Sequence, residues 1–125
     1  MAFHSVYCQV CASQHEYLET FHEIYSDRGV HVLVILGDEG APGPESLTSS
    51  GCAEFASDAG LTLPVLRDPG FAAAGDFTRR GVPAQVLIDS DFLLRTVEQG
   101  WDASFQEARF EQLVGEILSD TPESP

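Results

Sequence analysis

One apolar run narrows the fold of this chain more than any other segment. Residues 30–36 read Val-His-Val-Leu-Val-Ile-Leu, a nearly unbroken run that is rich in β-branched side chains. Such a run predicts a strand that is buried on both faces. A strand of that kind needs helices on both sides of its sheet, so we expect an α/β fold whose sheet is at least partly parallel.

The segments around this strand alternate between extended and helical patterns. Residues 2–6 predict a short first strand, and residues 11–28 predict a helix that ends at Gly29. Residues 37–44 are rich in Gly and Pro and predict a loop. The apolar side chains of the helix recur at helical spacing and are expected to face the core: Tyr17, Leu18, Phe21, Ile24 and Tyr25.

The middle of the chain predicts two further helices with a short extended segment between them. Residues 46–59 predict the second helix, and residues 63–66 are extended. Asp68 followed by Pro69 is typical of a helix start, with Asp as the N-cap, and that third helix is expected to stop near Gly81. The apolar stripes of these helices comprise Cys52, Phe55, Ala56 and Ala59 in one and Phe71, Ala74 and Phe77 in the other.

The last third of the chain predicts an antiparallel hairpin, with strands at residues 84–89 and 92–98, and a final helix. A capping box at residues 104–107 predicts the start of that helix. Its inward side chains are expected to be Phe105, Ala108, Leu113, Ile117 and Leu118. The order of elements predicts one domain, residues 1–118, with a central mixed sheet flanked by helices, followed by a disordered polar tail at residues 119–125.

The charge balance is strongly acidic and argues against several classes of partner. The 125 residues carry 20 Asp and Glu against 6 Lys and Arg, a formal net charge of −14. Nucleic acids and anionic membrane surfaces would repel such a chain, so we interpret the acidity mainly as a source of solubility. No run of about 20 apolar residues predicts a membrane segment, and residues 1–4 show neither the basic leader nor the apolar core of a secretory signal.

Two of the three cysteines, Cys8 and Cys11, form a C-x-x-C pair between the first predicted strand and the first predicted helix. This spacing lets one thiol lie in the loop and the other in the first helical turn, within reach of a disulfide. The N-terminus of a helix stabilises a thiolate on Cys8, so we predict that Cys8 attacks and Cys11 resolves the mixed disulfide. The third cysteine, Cys52, is expected to be a small buried apolar residue.

Two structural roles for the pair compete with a redox role. A structural zinc site needs about four ligands, and the sequence contains no second C-x-x-C and no H-x3-H motif that would complete one. A disulfide that only stabilises the fold would close too short a loop to constrain the unfolded chain much. We therefore predict no metal and no bound cofactor, with the dithiol itself carrying the electrons.

Three segments resemble a known family. Residues 3–11 (FHSVYCQVC) are similar to F-W-A-x-W-C-x-x-C, residues 27–33 (DRGVHVL) to D-R-G-V-x-V-L, and residues 81–89 (GVPAQVLID) to G-V-P-x-x-x-L-I-D. These patterns are typical of the redoxin branch of thioredoxin-like proteins, and above all of TlpA/ResA-like thiol–disulfide oxidoreductases. The resemblance spans residues 2–118 and implies a thioredoxin fold and thiol–disulfide exchange.

The resemblance also implies a substrate surface and a set of partners. In this family a cis proline faces the cysteine pair, and the backbone of the preceding residue binds the substrate chain. The implied substrate-binding residues are Tyr7, Gln9, Val10, Val82 and Pro83. The implied partners are protein thiols or disulfides and an external redox partner. Members of the family are often periplasmic and linked to cytochrome c maturation, while the sequence itself leaves periplasm and cytoplasm both open.

The sequence departs from the family pattern beside the cysteines. The family often carries a Glu three residues after the second cysteine, where it assists proton transfer, but Gln14 stands there and cannot shuttle a proton. His15 and Glu16 are neighbouring candidates for that task, although His15 is expected on the helix surface. His4 would favour a thiolate on Cys8 only if it were charged, and we expect it to be hydrogen-bonded or half-exposed.

Two other functions remain open for a chain of this kind. A thiol peroxidase of the same fold would carry a Pro-x-x-x-Thr-x-x-Cys segment, which the sequence lacks. A thioredoxin-fold interaction module would keep its partner after a Cys8→Ser substitution, because its cysteines would be incidental. The spacing of the cysteines does not determine the direction of electron flow.

Overall fold

Five strands form one mixed sheet in the part of the chain that the structure describes. The structure is a computed structural model that describes residues 1–6, 8–37, 49–78 and 81–120. The strands are β1 (Ala2–Ser5), β2 (Val34–Gly37), β3 (Val65–Asp68), β4 (Ala84–Ile88) and β5 (Leu94–Gln99). They lie in the order β3-β2-β1-β4-β5, in which β1, β2 and β3 are parallel, while β4 is antiparallel to both of its neighbours.

Helices pack on both faces of this sheet: α1 (Gln9–Tyr25), α2 (Ser49–Ala59), α3 (Ala74–Phe77) and α4 (Ala103–Asp120). The core on one face joins the sheet to α1, α2 and α4, with Ala2, Leu18, Phe21, Val34 and Val114 among its buried members. The core on the other face joins the sheet to α3, through Phe3, Ile35, Ala74, Ala84 and Val86. The predicted α/β fold, with a central mixed sheet, flanking helices and a short first strand, is confirmed.

The apolar run at residues 30–36 forms a strand only in its second half. β2 begins at Val34, which pairs with Ala2, the first residue of β1. The N–H of Val30 bonds instead to the carbonyl of Tyr25 at 3.2 Å and closes the end of the first helix around Gly29, whose φ of 82° is left-handed. The strand was therefore predicted to begin too early, at Val30, because the N–H of Val30 bonds to the end of the first helix.

α1 is the predicted first helix, but its buried face differs from the prediction. It begins at Gln9, and a 3-10 turn at Ser26–Arg28 continues it to the predicted stop. Ile24, expected in the core, is 56% exposed. The buried stripe follows spacings of three and four residues and includes a polar side chain, and its members are Cys11, Gln14, Leu18 and Phe21.

The predicted loop at residues 37–44 and the start of the second helix fall mostly at residues 38–48, outside the described part of the chain. From Ser49 onward α2 presents the predicted stripe: Cys52 is buried, and Phe55, Ala56 and Ala59 pack against the core on the α1 face. The extended segment predicted at residues 63–66 is β3, which begins and ends two residues later and pairs with β2.

Asp68 is the last residue of β3 and, as predicted, occupies the N-cap position before Pro69, although its side chain makes no hydrogen bond to the short 3-10 helix that follows. The chain makes a 3-10 turn at Pro69–Phe71, which contains a left-handed Gly70 with φ of 61°. The Asp68 carboxylate accepts hydrogen bonds from the N–H groups of Ala73 (2.8 Å) and Ala74 (2.9 Å) and so stabilises the start of α3. The predicted third helix is therefore a 3-10 turn at the predicted start, followed by the short α3, which ends at Phe77 and not near Gly81.

β4 and β5 form the predicted antiparallel hairpin. Its turn contains no glycine, and the Asp89 carboxylate closes it by accepting the N–H groups of Asp91 (2.9 Å) and Leu93 (3.0 Å). Phe92, between these two residues, adopts a left-handed φ of 63° and is 90% exposed.

The start of the final helix was predicted wrongly. Asp102, not Ser104, caps α4: its carboxylate accepts the N–H of Ser104 at 3.0 Å, and the Gln106 side chain accepts the N–H of Asp102. Phe105 and Ala108, expected inside, are exposed, whereas Leu113, Ile117 and Leu118 are half-buried. The fully buried face of the helix recurs every four residues, at Gln106, Phe110 and Val114.

α4 continues to Asp120, into the segment predicted as a disordered tail, and residues 121–125 lie outside the described ranges. The division into a domain at residues 1–118 and a tail at residues 119–125 stays a prediction. Over the residues described, no helix combines the length and the hydropathy that crossing a membrane requires.

Candidate active site

The cysteine pair lies where the chain passes from β1 to α1. Cys8 is the N-cap of α1, with an extended backbone (φ −86°, ψ 106°), and Cys11 lies in the first helical turn. The two cysteines form a disulfide, and their Cα atoms are 5.1 Å apart. The strand–loop–helix arrangement inferred from the spacing is therefore present.

The two cysteines differ in exposure. Cys8 is half-buried, whereas Cys11 is completely buried. Gln9 and Val10 between them are exposed, so a partner can approach the Cys8 sulfur across these two side chains. Cys11 can be reached only from Cys8 or from inside the protein. Tyr7, which the resemblance adds to this surface, lies outside the described residues.

The N-terminus of α1 places a positive potential at Cys8. The N–H of Cys11 donates to the Cys8 Sγ at 3.0 Å, and the unpaired N–H groups of a first helical turn carry a partial positive charge. The first turn contains no acidic residue. Among the acidic residues of α1, Glu16 is more than one turn away from Cys8 along the helix, and Glu19 accepts hydrogen bonds from Thr62.

The Val82–Pro83 segment lies at the same end of the sheet as the cysteines. The antiparallel register pairs Phe3 with Ala84, so the two residues before Ala84 lie beside the end of β1, from which the chain leads to Cys8. The Val82–Pro83 peptide bond is cis, Pro83 is buried and Val82 is half-buried. The structure thus brings this segment and the cysteine pair to one edge of the molecule.

A buried polar cluster lies one helical turn from Cys11, and we define it as His4, Gln14, His15 and Gln85. His4 Nε2 and Gln14 Oε1 are 2.7 Å apart, and Gln85 Nε2 donates to the same oxygen at 3.4 Å. The ring centroids of His4 and His15 are 5.3 Å apart. His4, Gln14 and Gln85 are all buried, and the sequence patterns did not predict that they would meet.

The buried polar cluster leaves part of its hydrogen-bonding capacity unused. Within the described residues, four of its buried atoms have no hydrogen-bond partner: His4 Nδ1, Gln14 Nε2, His15 Nε2 and Gln85 Oε1. A buried polar group left without a partner destabilises a protein by about 1–3 kcal/mol. A cluster that destabilises the fold in this way and lies beside a cysteine pair is a candidate functional site.

Burial keeps the histidines of this cluster neutral. It lowers the pKa of His4 to about 4. The hydrogen bond with Gln14 partly opposes this decrease, and the electrostatic effect of His15 lowers the pKa slightly further. Burial also lowers the pKa of His15. His4 therefore cannot stabilise a thiolate as a cation at neutral pH. The surface position predicted for His15 was wrong, because its ring is half-buried between His4 and the edge of Phe55, at 5.3 Å from each ring.

Two sequence patterns could have shown that single members of the buried polar cluster are buried, although not that they meet. Gln14 falls on the same stripe of α1 as Cys11 and Leu18, with spacings of three and four residues. His4 and Gln85 belong to β1 and β4, the central strands of the sheet, in which both faces are covered. A polar residue within such a strand is buried wherever its face meets a helix.

Cys52 is not part of this site. It is buried and carries a free thiol, as predicted, and burial raises the pKa of that thiol while Arg67 opposes the rise. A thiol of this kind is a poor nucleophile at neutral pH. Among the residues that the structure describes, no group of three or more His, Cys, Asp or Glu side chains is arranged to hold a metal ion.

The sequence matches the family model described as Redoxin over residues 1–113. A comparison with curated proteins returns no significant match. The predicted resemblance to the redoxin branch of thioredoxin-like proteins is confirmed by the family match.

Solved structures with the same fold share little sequence with this chain. A thiol-disulfide isomerase from Corynebacterium glutamicum aligns with a TM-score of 0.78 and 20% identity, covering 96% of this chain and 79% of the other. A thiol:disulfide interchange protein from Chlorobium tepidum gives 0.70 and 18%, with coverages of 94% and 77%. A secreted disulfide oxidoreductase from Mycobacterium tuberculosis gives 0.67 and 16%, with coverages of 92% and 78%. The predicted thioredoxin fold is confirmed.

Proposed function

The chain belongs to the Redoxin family of thioredoxin-like oxidoreductases, and on that basis we propose that it exchanges electrons with protein disulfides through Cys8 and Cys11. The observation that carries this proposal is the disulfide at the N-terminus of α1, in which one cysteine is accessible and the other is completely buried. This asymmetry separates an attacking thiol from a resolving thiol.

Cys8 is the nucleophile of the reduced protein. The N–H of Cys11 and the partial positive charge of the helix end stabilise its thiolate and lower the pKa of the thiol. The Cys8 thiolate attacks one sulfur of a substrate disulfide and releases the other as a thiolate. Cys11 then attacks the Cys8 sulfur, closes the disulfide and releases the second substrate thiol. The same steps in reverse oxidise a substrate dithiol, and an external redox partner resets the pair.

The substrate chain docks beside Cys8 in this proposal. The exposed Gln9 and Val10, of which Val10 is 48% exposed, offer it a contact surface, and the cis Val82–Pro83 segment lies at the same sheet edge. The family pattern assigns a backbone hydrogen bond with the substrate to Val82. Tyr7 joins this surface on the strength of the resemblance.

The reaction needs no cofactor beyond the dithiol. Its partners are protein thiols or disulfides and an external redox protein or small thiol, and a net charge of −14 disfavours nucleic acids. The similar structure from Mycobacterium tuberculosis is described as secreted, and together with the resemblance this supports a compartment outside the cytoplasm. Fractionation of cells that express the full chain tests this assignment, which a purely cytoplasmic pool would contradict.

The central test is the redox equilibrium of the cysteine pair. The protein is equilibrated with a series of reduced and oxidised glutathione mixtures, and its thiols are trapped after denaturation and counted by mass spectrometry. We expect one reversible two-electron transition. Cys8→Ser removes it, whereas Cys52→Ser, the matched control, leaves it in place because Cys52 lies outside the site.

The midpoint of this transition also reports the direction of electron flow. A potential near that of thioredoxin, about −270 mV, indicates a reductant, and one near about −120 mV indicates an oxidant. A pair that stays reduced in an oxidising buffer contradicts the proposal. In that case, partner binding that survives Cys8→Ser would favour an interaction module.

A further inference from the structure

The hydrogen bond with Gln14 determines which nitrogen of the neutral His4 ring carries the hydrogen and which can take a proton. Gln14 Oε1 is an amide oxygen and can only accept, so His4 Nε2 carries the hydrogen of their 2.7 Å bond. Gln85 Nε2 donates to the same oxygen at 3.4 Å. His4 Nδ1 is therefore an unprotonated acceptor, buried and without a hydrogen-bond partner among the residues described.

This acceptor belongs to a cluster whose helical members lie one turn from the buried Cys11. Gln14 and His15 follow Cys11 by three and four residues on α1, a spacing at which Cβ atoms lie about 5–6 Å apart. His4 contacts both residues, through its hydrogen bond with Gln14 and its ring contact with His15. Because Cys11 is completely buried, a proton that leaves its thiol needs an acceptor inside the protein.

The elements packed against His4 present few titratable groups to it. β2 places Leu36 directly beside His4, and β4 contributes the uncharged Gln85. α1 contributes His15, which acts on His4 electrostatically, and Cys11, one turn along the helix. His15 is therefore the competing proton acceptor, and the experiment below separates the two histidines.

We propose that His4 accepts the proton of the Cys11 thiol when Cys11 attacks the mixed disulfide on Cys8. This inference rests on the proposed function and names the proton acceptor of its second step. The bond between the Cys11 and Cys8 sulfurs forms, and the bond between Cys8 and the substrate sulfur breaks. The proton of Cys11 moves to His4 Nδ1, directly or through one water. The substrate thiolate is released, and His4 then returns its proton to the thiolate or to solvent.

The His4 ring can accept a proton, unlike the two amides that it meets in the cluster. Burial lowers its pKa to about 4, so at neutral pH the ring is uncharged and can accept a proton. Neither Gln14 nor Gln85 can do so, because an amide is not a base in this range. Gln14 is a positioning residue, since its oxygen fixes the Nε2–H tautomer and leaves Nδ1 free.

The test is a substitution that keeps the hydrogen bond and removes the base. In His4→Gln, the amide nitrogen can still donate to Gln14 Oε1, but the side chain cannot accept a proton. Reduced protein is mixed with oxidised glutathione, quenched with acid and analysed by mass spectrometry. The rate of formation of the Cys8–glutathione disulfide and the rate of its conversion to the Cys8–Cys11 disulfide are measured separately. His22→Gln, on the same helix outside the buried polar cluster, is the matched control.

We expect His4→Gln to leave the formation rate unchanged and to slow the conversion about 100-fold near pH 6, the scale of general-base catalysis. The conversion rate of the wild-type protein should be nearly constant between about pH 5 and 7, because His4 is already neutral there. In His4→Gln it should rise about tenfold per pH unit, because the reaction then depends on the fraction of Cys11 thiolate. His22→Gln should follow the wild type.

A rescue variant separates a chemical from a structural role. Gln14→Glu in the His4→Gln background places a carboxylate, which can accept a proton, in the same cluster. We expect it to recover at least about tenfold of the lost conversion rate. The wild-type protein supplies a test that is independent of folding: conversion should slow in D2O, while formation of the mixed disulfide by the Cys8 thiolate should not.

Equal conversion rates and equal pH slopes in wild type and His4→Gln would overturn the inference. So would a slow conversion in His15→Gln with a normal rate in His4→Gln, or conversion in the wild type that is insensitive to D2O. Failure of the proposed function looks different, because the wild-type protein itself would then never form the Cys8–Cys11 disulfide.

Discussion

Phe3 and His4 are consecutive residues of β1, equally buried, and they face opposite sides of the sheet. Phe3 enters the apolar core beneath α3, where its ring centroid lies 5.5 Å from that of Phe77. His4 enters the interface with α1, where it meets Gln14 and His15. One strand thus has an apolar side and a polar side at the same depth.

The comparison shows that two equally buried side chains can have different chemical roles. Burying an aromatic side chain stabilises a fold by about 1.5–3 kcal/mol and needs no partner atom. The polar side holds buried atoms without partners, each of which opposes folding by about 1–3 kcal/mol. Since α1 brings Cys11 to the polar side, we infer that the Phe3 side contributes stability and the His4 side serves the cysteine pair.

The largest expected effect is a loss of stability when a buried aromatic ring is removed from the apolar side. Phe3→Ala should lower the free energy of unfolding by about 3–5 kcal/mol, measured by urea denaturation, because it leaves a cavity in a packed core. The rate of disulfide closure in the folded fraction should not change. The control is Phe92→Ala: its ring is 90% exposed, so its effect should stay within about 0.5 kcal/mol. A large loss of closure rate in Phe3→Ala would contradict this division between the two sides.

The second effect is a loss of stability in acid that originates on the polar side. The pKa of His4 falls from 6.5 to about 4 on folding because the ring is desolvated. As the pH falls below 6.5, His4 binds a proton in the unfolded chain, whereas in the folded chain it stays unprotonated until about pH 4. The free energy of unfolding should therefore decrease over this window by about 3 kcal/mol, and above it His4 should have no effect.

Denaturation curves at several pH values check this expectation through the difference between wild type and His4→Gln. The variant lacks the titrating ring, so its stability should fall less steeply with acid between about pH 6.5 and 4. Phe3→Ala should give a curve parallel to that of the wild type at lower stability. Parallel curves for wild type and His4→Gln would show that His4 is not the group that resists protonation.

Much of the apolar side and of the cysteine pair could be predicted from the sequence. Strong local signals marked β2, the β4–β5 hairpin and the start of α1 at the C-x-x-C pair, because apolar runs and helix-end chemistry depend on neighbouring residues. Their bounds were less accurate. Val30 serves the exit from α1, and Asp102 rather than Ser104 caps α4, because competing hydrogen bonds decide such ends only in the folded chain.

The polar side could not be predicted in the same way. Gln14 and Gln106 occupy fully buried positions on their helices, although Gln side chains are mostly exposed in proteins. A buried face predicted from apolar residues alone therefore omits both of them. Ile24 and Phe105 were then assigned to the core, and both are exposed. The meeting of His4 with Gln14 and Gln85 depends on how α1 lies across β1 and β4, which no local pattern contains.

The smallest expected effect concerns the hydrogen bond between His4 and Gln14. Gln14→Leu leaves the Nε2–H of His4 without an acceptor in a buried site, so we expect it to lower the free energy of unfolding by about 1–3 kcal/mol. His4→Leu leaves the Gln14 amide in a similar position. The double variant removes both partners together and should therefore lose less than the sum of the two single losses.

A double-mutant cycle measures this coupling directly, with an expected value of about 0.5–3 kcal/mol. The matched comparison pairs His4→Leu with Phe92→Ala, on the exposed hairpin turn, where the two losses should add within about 0.5 kcal/mol. Additive losses for His4 and Gln14 would mean that the bond does not hold the His4 ring in place. The tautomer that leaves Nδ1 free would then lose its structural basis, and with it the contrast between the two sides of β1.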